Sequence, residues 1–264
     1  MTVEGIRVSS EWLDLREPAD ADARALDLVE HLRRHLPATG RRVIHDLGCG
    51  TGAMGRWLAP LLPGPQHWVV HDRDTDLLRT AAANPPGPAA DGASVGIEAR
   101  RSDITLLGPD DLAGATLITA SALLDLMTGD QLARLVDVCA KAGCPALLTL
   151  SVVGRVDLAP AHPLDRRVTA AFDAHQRRLT AGGRLLGPDA VPAAVEGFRR
   201  LGGRRVRAGG RAGGRGRRLC RPASGGGTSR AAGGHRGPRR PAGHAMNTRV
   251  ADETAGLAPT YRWT

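Results

Sequence analysis

Asp46-Leu47-Gly48-Cys49-Gly50-Thr51-Gly52 is the stretch that decides the fold. The run ahead of it, Arg42-Val43-Ile44-His45-Asp46-Leu47, is short and apolar and reads as a strand. Residues 53–62 behind it read as a helix that stops at Pro63-Gly64-Pro65. Glycines between a strand and a helix allow a tight turn and a close approach of a ligand to the backbone. The helix start adds free N–H groups and a positive dipole end. In an open α/β sheet such a turn lies at the carboxyl ends of the strands, near the switch point where ligands sit.

Working outward, strand and helix patterns alternate. His67-Trp68-Val69-Val70-His71-Asp72 is the next strand. Asp74 can cap a helix that runs to Asn84 and ends at Pro85-Pro86. Residues 94–102 alternate around Val95, Ile97 and Ala99, and 115–120 form a buried type of strand. From Gly129 a helix places Leu132, Leu135, Val136 and Cys139 on one stripe. Residues 145–153 are the most apolar run and fit a central strand. Upstream, 11–36 read as helical. Downstream, about 163–179 and 188–200 read as two more helices. The alternation predicts an α/β fold, a doubly wound, mostly parallel sheet of five strands with helices on both faces.

Charge divides the chain unevenly. The 264 residues carry a net charge of +9. Residues 197–264 hold 16 Arg against Asp252 and Glu253, and the rest holds 20 Lys and Arg against 25 acids. A mildly acidic domain is therefore joined to a very basic tail. No apolar run reaches the roughly 18–20 residues of a membrane helix. No signal peptide is read at the acidic N-terminus, with Glu4, Glu11 and Asp14. Cys49, Cys139, Cys144 and Cys220 form no C-x-x-C pair and no zinc spacing. A reducing, cytoplasmic setting is expected, with no metal and no membrane partner.

Two cofactors compete for the glycine turn. Gly50-Thr51-Gly52-Ala53-Met54-Gly55 satisfies G-x-G-x-x-G, and Asp72 lies where a dinucleotide enzyme places its ribose-binding acid. The longer string, with Asp46 two residues before Gly48, resembles motif I of the class I S-adenosylmethionine-dependent methyltransferases. Val69-Val70-His71-Asp72 resembles their second strand, and Arg101-Ser102-Asp103-Ile104 their third motif. Thr116 to Asp125 resembles the fourth-strand motif that lines the methyl-transfer cleft. The motifs run in order from about residue 41 to 155.

The resemblance implies a Rossmann-like domain over 41–200, behind an N-terminal helical cap over 1–40. It implies S-adenosylmethionine as cofactor, held by Asp46, Gly48, Cys49, Gly50, Gly52, Asp72, Arg73, Asp103, Ile104 and Ser121. Asp72 would take the ribose hydroxyls, Asp103 would face the adenine amino group, and Asp46 would meet the ammonium. Asp103 can equally cap the next turn, and Asp46 can brace the glycine loop.

Trp12 to Arg24 and Phe172 to Ala190 resemble segments of bacterial methyltransferases of undefined substrate. Arg16 or Arg24 would then pair with the methionine carboxylate, and His175 would act as base or substrate anchor. Arg16 and Arg24 can also be solvated charges pairing with Asp20 and Glu17. Thr119-Ala120-Ser121-Ala122 stands where amino-group methylases of bases or glutamine carry N/D-P-P-Y/F. A small-molecule acceptor is therefore expected. The alternatives are an RNA methyltransferase using the basic tail and a non-catalytic cofactor-binding protein.

The tail, 201–264, changes character abruptly. Residues 202–240 contain 13 Gly and 12 Arg, with no aromatic between Phe198 and Tyr261. Such a segment cannot bury a core and is expected to be disordered. Clustered Arg binds phosphate, so nucleic acid is a partner if the tail is genuine. Class I methyltransferases close their sheet with two further strands, and the pattern for them is missing here. Gly, Ala, Pro and most Arg codons carry only G or C in their first two bases. A shifted reading frame in a GC-rich gene accounts for the tail, and an open edge beside the fifth strand is expected.

Overall fold

The structure, a computed structural model, describes residues 8–154, 162–202, 206–209 and 260–263. In chain order the elements are α1 (Ser10–Ala23), α2 (Leu26–Arg33), β1 (Arg42–Leu47), α3 (Ala53–Leu58), β2 (Gln66–Asp72), α4 (Thr75–Ala83), β3 (Val95–Arg101) and β4 (Leu117–Ser121). Then follow α5 (Gly129–Lys141), β5 (Ala146–Thr149), α6 (Asp165–Gln176), β6 (Leu179–Thr180), β7 (Gly183–Arg184), α7 (Ala190–Arg200), β8 (Val206–Gly209) and β9 (Thr260–Trp263).

The main sheet has the order β3-β2-β1-β4-β5-β9-β8. Its first five strands are parallel, as the alternating pattern predicts. The order reverses at β1, and the chain leaves β1 toward one face (α3) and β4 toward the other (α5), which opens the crevice of a doubly wound sheet at their carboxyl ends. Asp46 stands level with Val70 on one side and Thr119 on the other.

Each face of the sheet has its own core. Ile44, Trp68, Val70, Leu117 and Leu147 pack under Leu28, Leu32, Met54, Leu58 and Leu78 of α2, α3 and α4. Leu47, Ile118, Ala120, Ala146 and Leu148 pack under Leu132, Leu135, Val136, Ala194 and Phe198 of α5 and α7. Each fully buried Leu is worth about 1.5–3 kcal/mol relative to exposure. Trp68 is completely buried, and its indole N–H is satisfied by Gln66 Oε1 at 2.9 Å.

Three expectations are corrected. Residues 11–36 are two helices, because Arg24 and Ala25 are extended. The break carries the Arg24 side chain inward to Ser121. The helix expected to reach about 179 ends at Gln176, and a short ribbon of β6 and β7 follows.

The largest correction concerns the last two strands, which were expected to be missing. β9 pairs antiparallel with β5, and β8 pairs antiparallel with β9. A bare β5 edge presents unpaired N–H and C=O groups. Tyr261 and Trp263 are aromatic strand formers and lie level with Leu148 and Ala146. The Gly/Arg composition of the tail hid these two four-residue runs. The stretch 210–259, expected to be disordered, lies outside the described residues.

Among the described residues no helix is long and apolar enough to cross a membrane. No group of three His, Cys, Asp or Glu among them is placed to hold a metal ion.

Candidate cofactor site

The glycine loop needs its glycines twice over. Gly48, Gly50 and Gly52 have φ of +66°, +55° and +86°, a region that L side chains rarely adopt. Space is short as well. A Cβ on Gly50 would lie 3.0 Å from Leu13 Cδ1, and one on Gly48 would lie 3.0 Å from Leu123 Cδ1. Leu13 of α1 and Leu123 of the turn after β4 thus close over the loop. The buried Cys49 ties the loop to β2, its N–H donating to the His71 carbonyl at 2.9 Å.

Asp72, at the end of β2, clamps the loop. Its Oδ2 accepts from Gly50 N–H at 3.0 Å and its Oδ1 from Asp74 N–H at 2.9 Å. Each oxygen keeps a further lone pair for a ligand. Asp103, at the end of β3, is exposed and accepts from Thr105 N–H at 2.9 Å and from its hydroxyl at 2.7 Å. It caps the turn Ile104–Leu106, and its second oxygen takes no part in the cap. Arg73 is exposed, and Ile104 packs against the core under α5.

The most unusual chemistry lies beneath the loop. Asp46 is 1% exposed and accepts from the Thr119 hydroxyl at 2.7 Å through Oδ1, while its buried Oδ2 has no partner. Burial pushes its carboxyl up to about 7, against the pull of the Thr119 hydrogen bond and the Arg24 charge. Arg24 is 4% exposed. Its Nη2 donates to Ser121 Oγ at 3.3 Å and its guanidinium lies 5.2 Å from the centre of the Trp57 ring. Its Nε and Nη1 are buried without partners. Thr149, level with Ser121 on β5, also has a buried, unpartnered hydroxyl. A buried cation and a buried acid therefore share one end of the sheet, each with unmet hydrogen-bonding capacity.

Other expected residues are placed differently. Arg16 is held by Asp20 at 2.9 and 3.1 Å, the local pairing that the spacing allows. Glu17 reaches Arg56 instead, with 2.8 Å between Arg56 Nε and Glu17 Oε1. Arg56 also donates to the Thr51 carbonyl at 2.6 Å, so this ion pair fastens α1 to the glycine loop. His175 is exposed on α6, and no side-chain hydrogen bond to it is seen among the described residues.

Sequence reasoning gave Thr149 and Arg56 no role, and it placed Thr119 and Asp125 only as parts of the fourth-strand motif. Thr119 was within reach, because it precedes Ser121 by two and so shares its face of β4.

No family model matches the chain, and no curated protein matches it. Many solved structures do. A Bordetella parapertussis protein described as a possible exported protein aligns with a TM-score of 0.55 and 15% identity, over 97% of this chain and 79% of that one. Human N-acetylserotonin methyltransferase in complex with SAM aligns with a TM-score of 0.50 and 14% identity, over 96% of this chain and 54% of that one. At these identities the likeness is one of fold, and the fold is the Rossmann-like one of the class I methyltransferases.

Proposed function

We propose that the chain is an S-adenosylmethionine-dependent methyltransferase acting on a small molecule. The observation that carries this reading is the buried pair of Arg24 and Asp46. Arg24 offers Nε–H and Nη1–H, and Asp46 offers Oδ2, all unpartnered. An α-amino-acid zwitterion supplies a carboxylate for the first and an ammonium for the second. Charge-assisted hydrogen bonds of this kind are worth about 1.5–3 kcal/mol each. A dinucleotide has no such pair. Its pyrophosphate would also approach the buried Asp46, whose ionised form repels it.

The other residues fit the same cofactor. Asp72 keeps lone pairs for the two ribose hydroxyls, and Asp103 keeps one oxygen for the adenine amino group. A Cβ at Gly48 or Gly50 would press on Leu123 or Leu13, so glycine lets these side chains lie close over the loop. Cys49, Gly52, Arg73, Ile104 and Ser121 complete the wall, with Arg16 bound to Asp20 behind it. When bound, the cofactor supplies a methyl group on a sulfonium. The protein's main task is then in-line positioning of the acceptor. Leu13 and Leu123, lying over the loop, exclude water from it.

A small acceptor is supported over RNA by the lack of aromatics in 202–240, since single-stranded RNA binding relies on base stacking. Cys49, Cys139 and Cys144 are free thiols, which supports a reducing, cytoplasmic setting. Calorimetry with S-adenosylmethionine and with NAD tests the cofactor. Binding of the first alone is the expected result, and binding of NAD alone refutes the reading. RNA retention that weakens with salt and vanishes on deleting 202–264 would redirect the acceptor to RNA.

A further inference from the structure

Asp125 lies in the turn Leu124–Leu126, directly after β4. The chain reaches it through Ala122, a left-handed residue with φ of +52°. Leu150, just beyond β5, is left-handed too, at +56°. Ala122 N–H donates to the Thr149 carbonyl at 3.0 Å, so the two strained positions sit side by side at the carboxyl edge of the sheet. Non-glycine residues in this region cost about 1–3 kcal/mol each and cluster at functional sites. Leu123, between Ala122 and Asp125, touches the first glycine of the loop. The turn bearing Asp125 is therefore packed directly against the cofactor loop.

Asp125 is 8% exposed. Among the described residues no other side chain is seen to hydrogen-bond to its carboxylate, which takes a hydrogen bond from its own backbone N–H. Two guanidinium groups face it from other elements, Arg16 from α1 and Arg178 from the end of α6. Both are engaged elsewhere, Arg16 with Asp20 and Arg178 with the His175 carbonyl at 3.1 Å. The turn Gly187–Asp189 also packs here, and its Asp189 is neutralised by Arg177 at 2.7 and 2.9 Å. From α7, Glu196 is paired with Arg200 at 2.9 Å.

We propose that Asp125 is the proton acceptor on the substrate side of this site, and that the methyl acceptor is a neutral hydroxyl compound whose O–H donates to it. This rests on the methyltransferase reading. The chemistry around Asp125 selects among acceptors. A cationic amine would face Arg16 and Arg178 and has no free electron pair. A carboxylate would have no proton to give and would meet a like charge. A hydroxyl gives its proton to Asp125 as its oxygen bonds to the methyl carbon. The carbon–sulfur bond breaks with its electron pair left on sulfur, and Asp125 later returns the proton to water. Burial holds its carboxyl up at about 6, high enough to take a proton yet mostly ionised at neutral pH.

The test uses the full chain and phenol, whose hydroxyl stays protonated at neutral pH, with benzylamine as the cationic amine and benzoate as the carboxylate. Three readouts are taken: S-adenosylmethionine affinity and phenol binding by calorimetry, and methylated product by mass spectrometry. Expected are methylation of phenol alone and a rate that is half-maximal near pH 6 and reaches a plateau above about 7. Asp125→Asn should keep cofactor affinity, lose phenol binding at least tenfold and lose turnover about 100-fold or more. Asp125→Glu should restore part of both, which separates lost chemistry from lost folding. Equal phenol binding by wild type and Asp125→Asn overturns the proposal. So does methylation of benzylamine or benzoate in place of phenol, or intact cofactor binding with no phenol bound. Failure to bind S-adenosylmethionine at all sinks the proposal together with the methyltransferase reading, and calorimetry alone identifies that case.

Discussion

The backbone N–H of Gly50 donates to Asp72 Oδ2 over 3.0 Å, and this bond fixes the loop after β1 to the end of β2. The same carboxylate takes Asp74 N–H on its other oxygen. Asp72 thus shapes the loop, and in the proposed reading it also takes the ribose diol. On that reading Asp72→Ala removes both contributions, so S-adenosylmethionine affinity should fall about 10- to 100-fold. Calorimetry measures this directly, and an unchanged affinity would remove Asp72 from the site.

Gly50→Val should abolish cofactor binding with the fold largely kept. At φ of +55° a β-branched residue is strained, and its Cβ would begin 3.0 Å from Leu13 Cδ1. The strain costs about 1–3 kcal/mol. The added methyls must displace α1, which has no buried residue of its own. A near-native circular dichroism spectrum with no measurable binding is the expected pair of results.

Cofactor affinity should depend on pH through Asp46. Its carboxyl stands at about 7 in the free protein, because burial penalises the charge. An ammonium at Oδ2 favours the ionised form, so binding below about pH 7 releases a proton. Affinity should then fall by up to tenfold per pH unit below 7. For stability the sign is opposite to that of an ordinary salt-bridged acid. The folded value is raised, so the contribution of Asp46 is complete below about 4 and is lost as pH rises through 7. Calorimetry in buffers of different ionisation enthalpy counts the proton. No proton release at pH 6 would show that Asp46 does not meet the ammonium.

The parallel half of the fold was legible because periodicity and turn residues are local. β1, β2, β4 and β5 are short apolar runs and β3 alternates, and β1 and β2 close on Gly48 and Asp72. The acids proposed for the cofactor could be named because Asp46 and Asp72 lie in the ends of two of these strands and Asp103 follows a third. What stayed hidden depends on distant partners. Arg24 meets Ser121 97 positions away, and nothing near Arg24 distinguishes it from Arg16, which pairs with Asp20 one turn on. Glu17 finds Arg56 rather than a neighbour on its own helix. β8 and β9 were missed because composition averaged over the tail conceals two four-residue strands at its ends.

The origin of 202–264 remains a proposal with its own test. Its Gly/Arg composition is what a shifted frame in a GC-rich gene yields. β8 and β9 nonetheless occupy the positions of the two closing strands. Sequencing the DNA through codons 195–264 decides the matter. An alternative frame encoding about 50–60 residues, with two apolar strands flanking a helix, supports the shift. Its absence makes the basic tail genuine.

Acid should weaken the protein through His45 and His71. They stand side by side on β1 and β2, both buried, with His45 Nδ1 3.0 Å from His71 Nε2 and their rings stacked at 5.1 Å. His71 Nδ1 continues the chain to Ser102 Oγ at 3.0 Å. A proton shared between the two rings requires one nitrogen to remain an acceptor, so a second proton breaks the bond. Burial accordingly holds both down to about 4, with Arg100 adding its charge against them. The unfolded chain takes up protons near 6.5, so these residues lose no stability above that pH. Between about 6.5 and 4 the unfolded state binds more protons and stability falls, and below 4 the loss levels off. One such histidine is worth about 3 kcal/mol over that interval, and the coupled pair less than twice as much. Because Asp46 acts in the opposite sense over the same interval, the histidines are read as a difference. The urea midpoint of the wild type, relative to that of His45→Gln combined with His71→Gln, should drop steadily from pH 8 to 6 to 5, since neither amide titrates. An equally steep slope in the double variant would place the acid sensitivity elsewhere. Cys49 N–H rests on the His71 carbonyl, so the glycine loop should loosen in the same interval, and S-adenosylmethionine should protect against the loss.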